Sequence, residues 1–170
     1  VETALMDMIE DGSAQDAVIA QNESQRRTMW ERREAYAEIT LGIPGSIDTD
    51  IAVPLDNVPA FLEQVSSRVK EIDPTGEELY ISHLGDGNLH YTFYPSDSSG
   101  LLKEPITEAI EDVVLALNGS FSAEHGIGLS KKSSMARRKD PIALEMMSAI
   151  KTAFDPKNLM NPGKVYPEKG

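Results

Sequence analysis

The sequence predicts an α+β fold, a mainly antiparallel sheet with helices packed on one of its faces. Three observations carry this. Four segments repeat apolar residues at the i, i+3, i+4, i+7 spacing of amphipathic helices, and short alternating or β-branched runs lie between them. Two of those runs, Leu79–Leu84 and Leu89–Tyr94, are too close for a crossover helix and must form an antiparallel hairpin. The 170 residues, 40% of them apolar, suffice for one domain with its own core, and the chain has no repeat and no long linker.

Taken in order, residues 1–11 read as a short leading helix, and Asp16–Ala20 as a strand. A helix is expected from about Ser24 to Leu41, with Met29, Trp30, Arg33, Tyr36 and Ala37 near one stripe. A strand follows at Asp50–Leu55. The next helix opens at Asp56 or Asn57 and carries Val58, Phe61, Leu62, Val65, Val69 and Ile72, with Pro59 suited to its first turn. The hairpin strands come next, then the clearest loop, residues 95–103. A helix after Glu104-Pro105 carries Ile106, Ile110, Val113, Val114 and Leu117 and stops near Gly119. Ser120–Glu124 is a further strand candidate. The last helix opens at Asp140-Pro141, carries Leu144, Met147, Ile150 and Phe154, and is stopped by Asp155-Pro156.

Composition narrows the function. A net charge of −12 repels nucleic-acid phosphates and anionic lipid, so neither is an expected partner. Lys131, Lys132, Arg137, Arg138 and Lys139 form a local basic patch that suits either an anion or a solvated face. With no cysteine, the chain has no disulfide and no thiolate metal site. No run approaches the ~20 apolar residues of a membrane span and no leader is visible, so the expected compartment is the cytoplasm. The sequence leaves homo-oligomer formation open.

The segment His83-Leu84-Gly85-Asp86-Gly87-Asn88-Leu89-His90 carries the sharpest chemistry. Gly, Asp and Asn suit tight turns. A four-residue loop over Gly85–Asn88 sets Leu84 opposite Leu89 and His83 opposite His90, with Cβ atoms ~4.5–5.5 Å apart. Two imidazoles at that spacing can share one metal ion. The third histidine, His125, follows Glu124 in Ser122-Ala123-Glu124-His125-Gly126-Ile127-Gly128. Two imidazoles and a carboxylate make a common catalytic zinc set, which also suits iron or manganese. From spacing alone, strand packing and a plain turn are the commoner use of such residues.

HLGDGNLH, SAEHGIGLSKK and AFDPKNLMNPGKV, in that order, resemble the carboxy-terminal domain of the FAD-linked oxidase family, which includes D-2-hydroxyglutarate dehydrogenase, D-lactate dehydrogenase and the flavin subunit of glycolate oxidase. Trp30-Glu31-Arg32-Arg33-Glu34 and Asp50-Ile51-Ala52-Val53-Pro54-Leu55 fit in the same order. The resemblance implies that residues 1–170 are a single ferredoxin-like cap domain without its front part, partnered by an FAD-binding domain that this chain lacks. It implies oxidation of a small D-2-hydroxy acid to a 2-oxo acid. It places metal ligands, zinc or another divalent ion, on His83, His90 and Glu124. His125 would be the base or substrate partner, Arg33 the holder of a substrate carboxylate, and Asn161 would lie near the flavin.

The sequence departs from the 2-hydroxyglutarate branch at three positions. Asp48 stands where a lysine is expected, Ala37 replaces a threonine, and Thr92 replaces an asparagine. These changes remove partners for a distal carboxylate and add a like charge, which favours a monocarboxylate such as lactate or glycolate, or a substrate with a neutral or cationic tail. Two rivals stay open: a non-catalytic metal-binding or interaction module on the same fold, and a metal-dependent hydrolase.

Overall fold

The computed structural model describes residues 1–41, 43–165 and 167, with the side chains of 37–41 left aside. The chain divides into two compact units, Val1–Ile43 and Pro44–Gly170.

The first unit holds α1 (Glu2–Glu10) and α2 (Glu23–Leu41). Asn22 caps α2: its Oδ1 accepts from the Gln25 N–H at 2.9 Å, while Gln25 Oε1 accepts from the Gln21 N–H at 2.7 Å. This reciprocal pair satisfies donors that a helix start leaves open. Residues 16–20, expected as a strand, are irregular, because local alternation cannot make a strand without a partner to pair with.

The second unit is a three-stranded antiparallel sheet with helices on one face. Its strands are β1 (Ile47–Ala52), β2 (Glu77–His83) and β3 (Asn88–Tyr94), in the order β1-β3-β2. One face presents Ile47, Ile51, Leu89, Tyr91 and Phe93 to a core shared with α3 (Val58–Ile72) and α4 (Lys103–Ala116). Phe61, Val65 and Val69 from α3 and Ile106, Ile110 and Val114 from α4 fill it, each fully buried. Phe61 meets Tyr91 edge to face with ring centres 6.0 Å apart, a favoured aromatic geometry.

The remaining helices are α5 (Lys132–Arg138) and α6 (Pro141–Phe154). As its sequence predicts, α6 starts on Asp140, whose carboxylate accepts from the Ala143 N–H at 2.9 Å. Much of the basic patch is consumed inside the chain. Arg137 pairs with Glu104 and Glu108, and Arg138 with Glu111 and Asp112, tying α5 to α4.

Two expectations about the sheet are corrected. Ser120–Glu124 forms no strand; it makes one antiparallel bridge, Ser120 to Ala52, and then leaves the ladder. The hairpin register also differs. His83 pairs with Asn88, and Ile81 with His90. The turn is a single 3-10 turn at Leu84–Asp86 closed by Gly87 at φ 75°, so Asn88 already belongs to the strand. Gly87 is required there twice over. Its φ is left-handed, and a Cβ would lie 2.1 Å from the Val53 carbonyl oxygen.

Candidate metal and substrate site

The face of the sheet away from α3 and α4 carries the polar residues. Side chains alternate along a strand, so Asp48 and Asp50 on β1 share this face with Asn88, His90 and Thr92 on β3 and with His83 on β2. Asp50 lies directly opposite His90, and Asp48 opposite Thr92. His83 sits diagonally from His90, not across from it. The two rings still meet edge to face with centres 5.5 Å apart, because diagonal neighbours remain within reach of ring side chains.

The segment after α4 completes the site. Its bridge to Ala52 and the Ala123 N–H to Asp50 O bond, 3.1 Å, lay it along the free edge of β1. That brings Glu124 and His125 over β1 to His90. Glu124 Oε1 stands 3.2 Å from Nε2 of His90 and 3.2 Å from Nε2 of His125. The His90 and His125 ring centres are 5.3 Å apart. Asp50, His90, Glu124 and His125 each offer one ligand atom within 4.8 Å of all the others.

These distances suit one small cation. Two donors about 2.0–2.2 Å from an ion at a tetrahedral angle stand about 3.3–3.6 Å apart. Imidazole nitrogens with carboxylate oxygens are the donor types zinc takes. The Asn88 Oδ1, itself buried, has no hydrogen-bond partner among the described residues, which leaves a spare acceptor oxygen on this face. The cluster is also reachable: the His90 side chain is 20% exposed, Glu124 49% and His125 63%.

Asp50 is buried in a polar cage. Its Oδ1 accepts from Asn88 Nδ2 at 3.0 Å. Its Oδ2 accepts from the His125 N–H at 2.9 Å and the Glu124 N–H at 3.1 Å, and pairs with Lys131 Nζ at 3.3 Å. Burial opposes ionisation of this carboxyl. The His125 N–H, the Asn88 amide, the nearby Lys131 ammonium and the Glu124 N–H outweigh it and draw the pKa down to about 2.

Of the residues singled out from sequence, the structure brings His90, Glu124 and His125 together and sets the His83 ring against that of His90; His83 is not one of the four residues whose ligand atoms lie within 4.8 Å of one another. Arg33 is a half-buried residue of α2, in the first unit. Asn161 lies in an exposed turn near the end of the second unit, with left-handed φ 46°. Asp50 and Lys131 escaped the sequence reading as site residues. The signal for Asp50 was present, since it heads the Asp50–Leu55 segment that already fits the family pattern.

The family described as FAD linked oxidases, C-terminal domain, matches residues 1–165. The chain belongs to this family. As a carboxy-terminal domain of the FAD-linked oxidases, it is 34% identical over 163 residues to a D-2-hydroxyglutarate dehydrogenase of Stutzerimonas stutzeri (strain A1501), covering 93% of this chain and 35% of that protein. A probable mitochondrial D-2-hydroxyglutarate dehydrogenase of Oryza sativa subsp. indica is 33% identical over 168 residues, covering 99% of this chain and 30% of that protein. A probable mitochondrial D-lactate dehydrogenase of Danio rerio is 33% identical over 162 residues, covering 91% of this chain and 32% of that protein. The domain thus spans about a third of the length of these relatives. The rice and zebrafish proteins are named as mitochondrial, so the cytoplasmic expectation gains no support from them. No helix among the described residues is long and apolar enough to cross a membrane.

Proposed function

We propose that this domain is the substrate- and metal-binding part of an FAD-dependent enzyme that oxidises a small D-2-hydroxy acid to a 2-oxo acid. The observation that carries the reading is the convergence of two imidazoles, His90 and His125, on Glu124 Oε1, in an open site of a chain that belongs to an FAD-linked family.

His83, His90 and Glu124 would hold a divalent cation, and His125 remains for the proton. Bound metal would supply charge that favours the ionised form of a substrate hydroxyl, and bound FAD would supply the hydride acceptor. His125, 63% exposed, can accept the hydroxyl proton on a ring nitrogen once substrate is seated. Glu124, beside that ring, orients it and stabilises the imidazolium that results. Arg33 would hold the substrate carboxylate, since a guanidinium pairs both carboxylate oxygens. Asn161, in its left-handed turn, would lie near the flavin. The partner is an FAD-binding domain, and Asp48 directs the choice toward a substrate without a second carboxylate.

The test is oxidation of D-lactate, glycolate and D-2-hydroxyglutarate by the full-length protein that carries this domain, with an artificial electron acceptor. Flavin-dependent turnover of at least one, lost in His125→Ala, supports the reading. A flavin-loaded protein that turns over none of the three sinks it.

A further inference from the structure

Asp50 offers a carboxylate within reach of His90, Glu124 and His125, and by distance alone it could be a fourth metal ligand. Its hydrogen bonds argue otherwise. A carboxylate has about four lone-pair positions. On Asp50, Oδ2 meets Lys131 Nζ and the backbone N–H groups of Ala123, Glu124 and His125, and Oδ1 meets Asn88 Nδ2 at 3.0 Å and, at 3.4 Å, the Glu124 N–H. Ligation through Oδ2 would break charge-assisted bonds made in a buried place, where each is costly to lose, and ligation through Oδ1 would compete with the Asn88 amide.

The three N–H groups are consecutive. Successive backbone N–H groups around one anion form a nest, and a nest fixes the backbone that supplies it. Here the backbone belongs to Glu124 and His125, the two residues whose side chains project into the site. Lys131 closes the arrangement from the far side, donating to Ser122 Oγ at 2.9 Å as well as to Asp50. Asn88, through its amide, links the same carboxylate to the strand that bears His90. One buried side chain therefore ties together the β3 strand and the loop that between them present His90, Glu124 and His125.

We infer that Asp50 is a positioning residue: it organises Glu124 and His125 against His90 through the nest and Lys131, and it does not ligate the metal. The inference rests on the metal-binding reading above. Outer partners that orient ligands typically cost 10–100-fold in metal affinity when replaced.

Titration of the chain with Co²⁺ tests it, because the visible spectrum of Co²⁺ reports its coordination. Asp50→Asn should weaken Co²⁺ binding roughly 10–100-fold and leave the saturated spectrum unchanged. Affinity within about twofold of wild type overturns the inference. So does a saturated spectrum with altered coordination, the result expected if a ligand had been removed. Amide hydrogen exchange gives a second measurement that does not depend on the variant folding. In the wild-type chain the Glu124 and His125 N–H groups should be protected although their side chains are exposed, and unprotected exchange there overturns the inference. A wild-type chain that takes up no Co²⁺ sinks the metal reading instead, and the exchange rates still decide whether Asp50 holds the loop.

Discussion

Thr92 donates its hydroxyl to Asp48 Oδ1 at 2.8 Å, across directly paired positions of β1 and β3. The two residues on this sheet that the sequence reading takes as departures from the 2-hydroxyglutarate branch are thus one hydrogen-bonded unit, and Ser46 Oγ supports it by donating to Asp48 Oδ2 at 2.8 Å. The third departure, Ala37, has its side chain outside the described residues. Asp48 shares its sheet face with Asp50 and His90, so its charge is presented on the side where the proposed substrate binds. In the full-length enzyme, kcat/KM should be higher for D-lactate than for D-2-hydroxyglutarate. Asp48→Lys should move that ratio toward the dicarboxylate by roughly tenfold or more, since a hydrogen bond to a charged group contributes about 1.5–3 kcal/mol. A wild-type enzyme that already prefers D-2-hydroxyglutarate, unchanged by Asp48→Lys, contradicts this.

Gly87 closes the histidine hairpin and should tolerate no side chain. Left-handed backbone alone costs about 1–2 kcal/mol for an L-residue. The overlap with the Val53 carbonyl adds to that, because it lies on backbone that cannot swing aside. Gly87→Ala should therefore destabilise the chain by more than the backbone term alone in urea denaturation. Gly85→Ala, at a site with nothing within 4 Å of the added carbon, is the control and should change stability by no more than about 0.5 kcal/mol. Equal effects of the two substitutions would show that the turn conformation is wrong.

The helices α3, α4 and α6 were legible because their apolar spacing and caps are local. The hairpin was legible too, but its register was not. Gly85, Asp86, Gly87 and Asn88 are all turn formers, and which four residues make the turn is decided by the Gly87 fit against Val53. The expected strand at Ser120–Glu124 dissolves after one bridge, since its N–H groups turn to the Asp50 carboxylate 73 to 75 residues away. No local pattern encodes a bond of that span, so the role of Asp50 stayed hidden although its segment was already read as part of the family pattern. The short α5 escaped notice because ion pairs from Arg137 and Arg138 to α4 hold it, without an apolar stripe long enough to read.

A pH dependence follows from Asp155, the buried residue that ends α6. Its carboxylate accepts from the Leu159 and Met160 N–H groups at 2.9 and 2.8 Å and pairs with the Lys151 ammonium. The Lys151 hydrogen bond first, then the Leu159 N–H, hold its pKa at about 2 against an ordinary value of 3.8. A carboxyl with a depressed folded-state pKa stabilises the fold above its unfolded value, and that contribution is lost as pH falls through the folded value. The Tm difference between wild type and Asp155→Asn should be full at neutral pH and shrink between about pH 4 and pH 2. A difference that stays constant over that window removes Asp155 from the account.

The last prediction separates the two imidazoles that flank His90. The ring centres of His83 and His125 lie 5.5 and 5.3 Å from that of His90, so ring distance does not choose between them. Both residues are exposed, so backbone setting and neighbours choose. His125 is 63% exposed and follows Glu124 in a loop at the open side of the site, where a substrate hydroxyl can reach it. His83 is fixed by the hairpin, paired with Asn88 at the end of β2. A ligand is best held by regular structure, whereas a proton-transfer group must meet the substrate. Zinc or Co²⁺ affinity should therefore fall in His83→Ala, His90→Ala and Glu124→Ala by more than the roughly 10–100-fold of an outer-partner change. His125→Ala should bind metal nearly as wild type does, while the full-length enzyme bearing it loses turnover with little change in KM. The reverse pattern, metal lost in His125→Ala and retained in His83→Ala, would assign the metal to the four residues whose donor atoms already lie within 4.8 Å of one another. The proton would then need another acceptor, and the roles given to His83 and His125 would have to be exchanged.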